Sequence, residues 1–152
     1  MDVPFQVRRA AEADLRDILE IEGVSFSDPW PRSFFVNLFN DTSWVVESGG
    51  HVIAYLFGRV AADEAEVLNL AVHPDHRRRG VAGSILEVAL AGFHAVGGRI
   101  VYLEVRAAND EAQAFYRKFG FEEQGRRARY YDRPPEDAVI MTRRIGPQKG
   151  LK

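Results

Sequence analysis

Two rhythms of apolar residues alternate along this chain, and the switch between them predicts its elements. "FQVRRA" alternates apolar and polar residues and reads as a first strand. Leu15, Ile18, Leu19 and Glu22 recur at helical spacing, which predicts a helix over 12–26. "SDPWP" breaks it, and Pro31 opens a second helix, "PRSFFVNLFN", because proline is tolerated at a first helical position. "SWVVES", "GG" and "HVIAYLFGRV" predict a strand, a two-residue turn and a strand. "EAEVLNLAV" is a further strand, paired with the one before it. Val81, Ile85, Val88, Ala89 and Phe93 share one face of a helix over 80–96, ended by Gly97-Gly98. "RIVYLEV" is an apolar run of strand length, the pattern of a parallel strand covered on both faces. Asn109 caps a helix that reaches Phe119, and Gly120 stops it. Strands over 121–129 and 138–145 close the chain, joined by "YYDRPPED". The order β-α-α-β-β-β-α-β-α-β-β describes a single α/β domain over 1–145, a mixed central sheet with helices on both faces. The polar "GPQKGLK", 146–152, is expected to be a flexible tail.

Composition narrows the function. With 152 residues, 46% of them apolar and 28% charged, the chain can bury one sizeable core. Its net charge of −2 does not suit a general nucleic-acid binder, so the arginines of "HPDHRRRGVAG" form a local patch. The absence of cysteine removes disulfides, thiolate zinc sites and a cysteine acyl-enzyme. "MDVPFQVRRA" has no signal-peptide core, and no apolar run approaches ~18 residues, so a cytoplasmic chain without a membrane helix is expected.

The crossover from strand 64–72 through helix 80–96 to strand 99–105 makes those strands parallel. Their C-terminal ends, and with them Val72, the arginine turn, Glu104 and Asn109, should meet at one crevice, where such sheets bind ligands. The turn feeds a helix N-terminus, where free N–H groups favour an anion. Gly80 and Gly83 allow close backbone approach, and Ala82 is small. A solvated basic turn is the plainer alternative. The turn lacks the Gly-Lys-Ser/Thr of a Walker A loop and does not match G-x-G-x-x-G, which leaves a single phosphate-gripping turn suited to the pyrophosphate of a nucleotide-like carrier.

"LNLAVHPDHRRRGVAGSILE" resembles the acetyl-coenzyme A motif of the GNAT superfamily of N-acetyltransferases, with Arg77, Gly80 and Ala82 in the defined places of Q/R-x-x-G-x-G/A. "YLEVRAANDEAQAFYRKFGF" resembles that superfamily's next strand and helix. Within it the chain is most similar to the RimI type, the ribosomal-protein-alanine N-acetyltransferases, on "LEVRAAN", the tyrosine of "AFYRKFGF", "DPW" and "RYYD". The resemblance implies acetyl-coenzyme A as co-substrate and a protein N-terminus as partner. It implies that the backbone of Leu70, Ala71 and Val72 pairs with pantetheine and orients the acetyl carbonyl. It implies a pyrophosphate cradle at the arginine turn, where Arg77, Arg78, Arg79, Gly80, Val81, Ala82 and Gly83 bind the cofactor, with Asn109 as a further contact. Glu104 would be the general base and Tyr116 the general acid, with Trp30, Tyr130 and Tyr131 lining a peptide pocket. The Pro-Pro of "YYDRPPED" is a departure from the family pattern.

The chemistry is consistent with those residue types. An α-amine of pKa ~8 must lose a proton before it can attack. Glu104, the only acid in "RIVYLEV", can take it, or can simply be paired with Arg106 or another cation. Tyr116 lies seven residues past Asn109, on the same helix face, and can protonate a leaving thiolate or merely pack beside Phe115 and Phe119. Trp30, Tyr130 and Tyr131 can equally cap the core. His73-Pro-Asp-His76 offers no complete metal set. The leading expectation is direct acetyl transfer, in a ternary complex, to the N-terminal alanine of a small-subunit ribosomal protein. A small-amine acetyltransferase and a non-catalytic coenzyme A-binding module are the alternatives.

Overall fold

The computed structural model describes residues 4–37, 39–40, 42–132 and 134–146. Its strands are β1 (Gln6–Arg9), β2 (Ser43–Ser48), β3 (His51–Ala61), β4 (Glu64–Val72), β5 (Ile100–Arg106), β6 (Glu122–Asp132) and β7 (Pro135–Arg144). Its helices are α1 (Leu15–Ser25), α2 (Arg32–Val36), α3 (Val81–Ala95) and α4 (Asp110–Lys118). The predicted order of strands and helices holds throughout. The sheet runs β1-β2-β3-β4-β5-β7-β6, antiparallel except for the parallel pair β4–β5. No helix among the described residues is long and apolar enough to cross a membrane.

Alternation along the strands sends successive side chains into two layers. On one face Ile85, Leu86, Ala89 and Phe93 of α3 pack with Trp44, Leu56, Val101, Leu103 and Val105. On the other, Leu15, Ile18 and Ile21 of α1 and Phe35 of α2 pack with Val45, Tyr55, Phe57 and Ala71. Burial of the large apolar side chains, at about 1.5–3 kcal/mol each, supplies most of the drive for both layers.

Several boundaries differ from the sequence reading. Glu12–Asp14 is a 3-10 turn ahead of α1, and α2 is five residues long. Val88 points outward, whereas Leu86 and Leu90 join the buried face of α3, because the helix lies on the sheet through a stripe wider than one heptad row. The closing hairpin is longer than predicted. Tyr130 and Tyr131 belong to β6, because Tyr131 pairs with Glu136 and Asp132 with Pro135. Proline at the first position of β7 is compatible with pairing, so the Pro-Pro step shortens the loop instead of breaking the strand. Of the predicted tail only Gly146 is described, close against the His94 ring, and the rest lies outside the described residues.

One irregularity positions the site. Phe57 pairs with Asn69 and Gly58 with Val67, so Leu68 is an extra residue in β4, a bulge that bends the strand. β4 and β5 pair only from Glu64–Ile100 to Glu66–Tyr102. Beyond that point they part, and the edge of β4 carrying Leu70 and Val72 has no ladder partner on the β5 side.

Candidate active site

The arginine turn stands where β4 runs out. Arg78 and Gly80 both take left-handed backbone, with φ of 65° and 76°. Such a turn curls successive N–H groups towards one concave side, the form that binds anions. Left-handed backbone costs a residue with a side chain about 1 kcal/mol, so at Arg78 the turn is imposed by its surroundings. Gly80 caps α3 without any side-chain hydrogen bond, and the N–H groups of Val81, Ala82 and Gly83 have no carbonyl one turn earlier to bond. A Cβ built on Gly80 meets nothing within 4 Å, so the space beside this residue is open. Gly83 differs. A Cβ there would stand 2.7 Å from the Phe119 ring, so its missing side chain admits α4 against α3.

The three arginines divide their work. Arg77 turns back to donate from Nε to the Val72 carbonyl at 3.0 Å and from its guanidinium to Ser25 Oγ at 3.4 Å, which ties the turn to β4 and α1. Arg78 and Arg79 are exposed. Asn109 caps α4 as predicted, accepting from the Ala112 N–H at 3.0 Å. His73 is likewise used locally, its Nδ1 accepting from the Asp75 N–H at 3.1 Å.

Glu104 lies on the other face of the splay, because Leu103 and Val105 take the face of α3. It lines a recess of about 510 Å³ together with Glu66, Tyr102, Arg127 and Ile140. A larger groove of about 1280 Å³, around His94, Lys118 and Arg143, holds none of the predicted site residues. Arg127 Nε lies 3.2 Å from Glu104 Oε2, off the line of a hydrogen bond, and that buried oxygen has no hydrogen-bond donor among the described residues. The paired cation is thus Arg127, whereas Arg106 is engaged by Glu136 at 3.2 Å.

Tyr130 and Tyr131 meet edge to face, ring centroids 5.0 Å apart. The register of β6 shifts between Arg127 and Tyr131, with Arg129 left-handed and its N–H bonded to Asp137 at 2.9 Å. This bulge sets both rings. The Arg106 guanidinium lies 4.2 Å from the Tyr131 ring centroid, and that of Arg127 lies 5.5 Å from the Tyr130 centroid. Burial, then the Glu104 carboxylate, hold the Tyr130 phenol above its ordinary range. Burial, then Tyr130 and Glu104, push Tyr131 up to about 12. Tyr116 packs its ring between Phe115 and Phe121, at 5.2 and 5.6 Å. Burial raises its hydroxyl well above the ordinary phenol range, and Tyr131 raises it further. The packing alternative for Tyr116 is what the structure displays, a core ring whose buried hydroxyl is kept neutral. Trp30 stands on the α1–α2 loop against Phe34 and Phe35, each 5.6 Å away.

Two contributors escaped the sequence. Arg127 gave no local signal, because its meeting with Glu104 depends on how the last hairpin lies on β5. Glu22 did leave one, an acid on an otherwise apolar helical face, and it is 2% exposed.

The sequence matches the Acetyltransferase (GNAT) family over residues 15–121. It is 36% identical to the N-alpha-acetyltransferase RimI of Mycobacterium tuberculosis, with 94% of each chain covered. It is 33% identical to the ribosomal protein bS18-alanine N-acetyltransferase of Escherichia coli K12, covering 84% of this chain and 89% of that protein. The crystal structure of the ribosomal-protein-S18-alanine N-acetyltransferase from Escherichia coli superposes with a TM-score of 0.88 at 29% identity, covering 98% of this chain and 99% of that one. On this family match and these relatives, the chain belongs to the GNAT acetyltransferase family, and within it to the RimI group of N-terminal acetyltransferases, with acetyl-coenzyme A as acetyl donor.

Proposed function

We propose that this chain acetylates the N-terminal alanine of a small-subunit ribosomal protein, by direct transfer within a ternary complex. Relatives at 32–36% identity include enzymes named for that reaction on ribosomal protein bS18, which favours this substrate class. The observation that carries the chemistry is Glu104 Oε2, a buried carboxylate oxygen that lines the recess beside Arg127 and has no hydrogen-bond donor among the described residues.

Acetyl-coenzyme A supplies an activated thioester. The residues suited to hold it are the turn Arg77 to Gly83, the unpaired edge at Leu70, Ala71 and Val72, and Asn109. Arg78, Arg79 and the free N–H groups of α3 face a pyrophosphate with charge and donors together. Glu104 takes a proton from the acceptor ammonium, directly or through water. The freed nitrogen attacks the acetyl carbonyl, the C–N bond forms, and the C–S bond then breaks. Tyr116, kept neutral by burial, gives its proton to the departing sulfur and is restored, directly or through water, by the second proton that the acceptor nitrogen loses as the amide forms. Trp30 on one side, and Tyr130 and Tyr131 on the other, leave a narrow way in for an extended N-terminus with a small first residue.

The test is a competition among acceptors. Alanine-starting peptides should exceed both a free polyamine and an internal lysine by at least ~10-fold in kcat/KM, about 1.4 kcal/mol of transition-state preference. Mass spectrometry should find the acetyl group on the α-nitrogen. A polyamine acetylated as efficiently as the best peptide would replace this reading with the small-amine one.

A further inference from the structure

Glu22 lies on the buried face of α1, and its carboxylate accepts three hydrogen bonds from three separate parts of the fold. Oε2 accepts from the Trp30 backbone N–H at 2.8 Å. Oε1 accepts from the Tyr55 hydroxyl of β3 and from the Asn69 side-chain amide of β4, the latter at 2.8 Å. All three partners are neutral donors. A charge buried with no cation among these partners is expensive, and an apolar side chain of the same size would pack there at less cost. What the carboxylate adds is geometry, because two acceptor oxygens can serve three converging donors and no apolar residue can serve any.

The three donors are not arbitrary. Asn69 directly follows the bulge residue Leu68, which opens β4 from β5. The Tyr55 ring packs on Phe35, and Phe35 packs on the Trp30 ring. Burial, then the Glu22 carboxylate, raise the Tyr55 phenol far above its ordinary range, so it stays a donor. One turn further along α1, Ser25 receives Arg77 of the donor turn. Helix α1 thus joins the loop carrying Trp30 to the opened strand and to the arginine turn.

We propose that Glu22 is a positioning residue for acceptor choice: it fixes the Trp30 loop to the bulged part of β4, and so sets how far the Trp30 wall stands from the acetyl group. This rests on the acceptor reading above, in which Trp30 lines the way in for the peptide. The consequence is that losing the carboxylate blurs selection of the first residue while leaving donor binding in place.

Glu22→Met keeps the volume and removes the acceptor, and Tyr55 can then bond Asn69 directly. Peptide KM should rise at least ~10-fold with little change in kcat at saturating peptide, the pattern of lost ground-state positioning. The kcat/KM advantage of alanine-starting over leucine-starting peptides should collapse towards unity, and acetyl-coenzyme A affinity by calorimetry should stay within about two-fold. Acrylamide should quench tryptophan fluorescence more strongly, because of the chain's 2 tryptophans Trp44 is 4% exposed and Trp30 reports the loop. Glu22→Gln should recover most of these properties, since its oxygen still serves Trp30 and the Asn69 amide can turn to accept from its nitrogen. Should Glu22→Met fail to fold, Asn69→Asp sets two carboxylates face to face and should raise peptide KM in the same way, with Glu22→Gln restoring it in the double variant. Wild-type peptide selection and quenching in Glu22→Met, or no recovery in the glutamine variants, would overturn the proposal. Quenching needs no acceptor, so it separates this outcome from a wild-type enzyme that fails on alanine peptides, which would instead sink the acceptor reading.

Discussion

Glu104 has a cation beside it before any acceptor arrives. The Arg127 side chain, 60% exposed, lies 3.2 Å from Glu104 Oε2 in poor hydrogen-bonding geometry. The guanidinium is largely in water and poorly aligned on the buried oxygen, so it is loosely held and an incoming ammonium can take its place. Under the proposed mechanism Glu104→Gln keeps the size, loses the base, and lowers kcat by ~10²–10⁴ near neutral pH. The direction with pH follows from the amine. As pH rises through its pKa of ~8 the amine deprotonates unaided, so the deficit of the variant should shrink. Tyr116→Phe keeps the ring that packs on Phe115 and Phe121 and should lower kcat with little change in acetyl-coenzyme A affinity. Steady-state rates on an alanine-starting peptide between pH 6 and 9 check both, and a variant working at the wild-type rate loses its proposed role.

Among the elements, the start of α3 carries two glycines with different duties. A side chain at Gly80 would meet open space, and one at Gly83 would meet the Phe119 ring. Gly80→Glu should abolish acetyl-coenzyme A binding, because the new side chain fills the ligand's approach and repels phosphate, at a stability cost of about 1 kcal/mol for left-handed backbone. Gly83→Ala should instead cost about 1–3 kcal/mol of stability, as α4 is pushed off α3. Calorimetry and thermal melts on both variants separate the two effects, and unchanged affinity in Gly80→Glu would remove the phosphate cradle. The sequence made the turn readable and hid this division, since both glycines sit beside the same arginines and only the placement of Phe119 tells them apart. Strand and helix order was legible because each element has its own apolar period. The end of the last hairpin was not, because Pro-Pro reads as a break unless its partner strand is known. The splay of β4 from β5 left only a faint trace, since it depends on one extra residue, Leu68, whose sole sign in the sequence is the Val67-Leu68 pair that interrupts the alternation.

At the scale of the whole molecule, the proposed function assigns the splay two half-sites at once. The unpaired edge of β4 and the start of α3 lie on the donor side, and Glu104, Tyr130 and Tyr131 stand on the face shared with α1 and α2. The layers on either face are built separately, from Phe93 and its neighbours on one and from Phe35 and Tyr55 on the other, so each half-site is shaped before a ligand comes. Nothing in this arrangement requires one substrate to leave before the other enters. The chain also has no cysteine to carry an acetyl group between two half-reactions. Direct transfer therefore needs both substrates bound together, where positioning contributes to the barrier as effective concentration. Initial rates measured against peptide at several fixed acetyl-coenzyme A concentrations should give double-reciprocal lines that intersect. Intact mass spectrometry of enzyme incubated with acetyl-coenzyme A alone should show no added acetyl group. Parallel lines together with an acetylated protein would instead mean that a side chain of this enzyme accepts the acetyl group first, and Glu104 would then have to be assigned to a different proton.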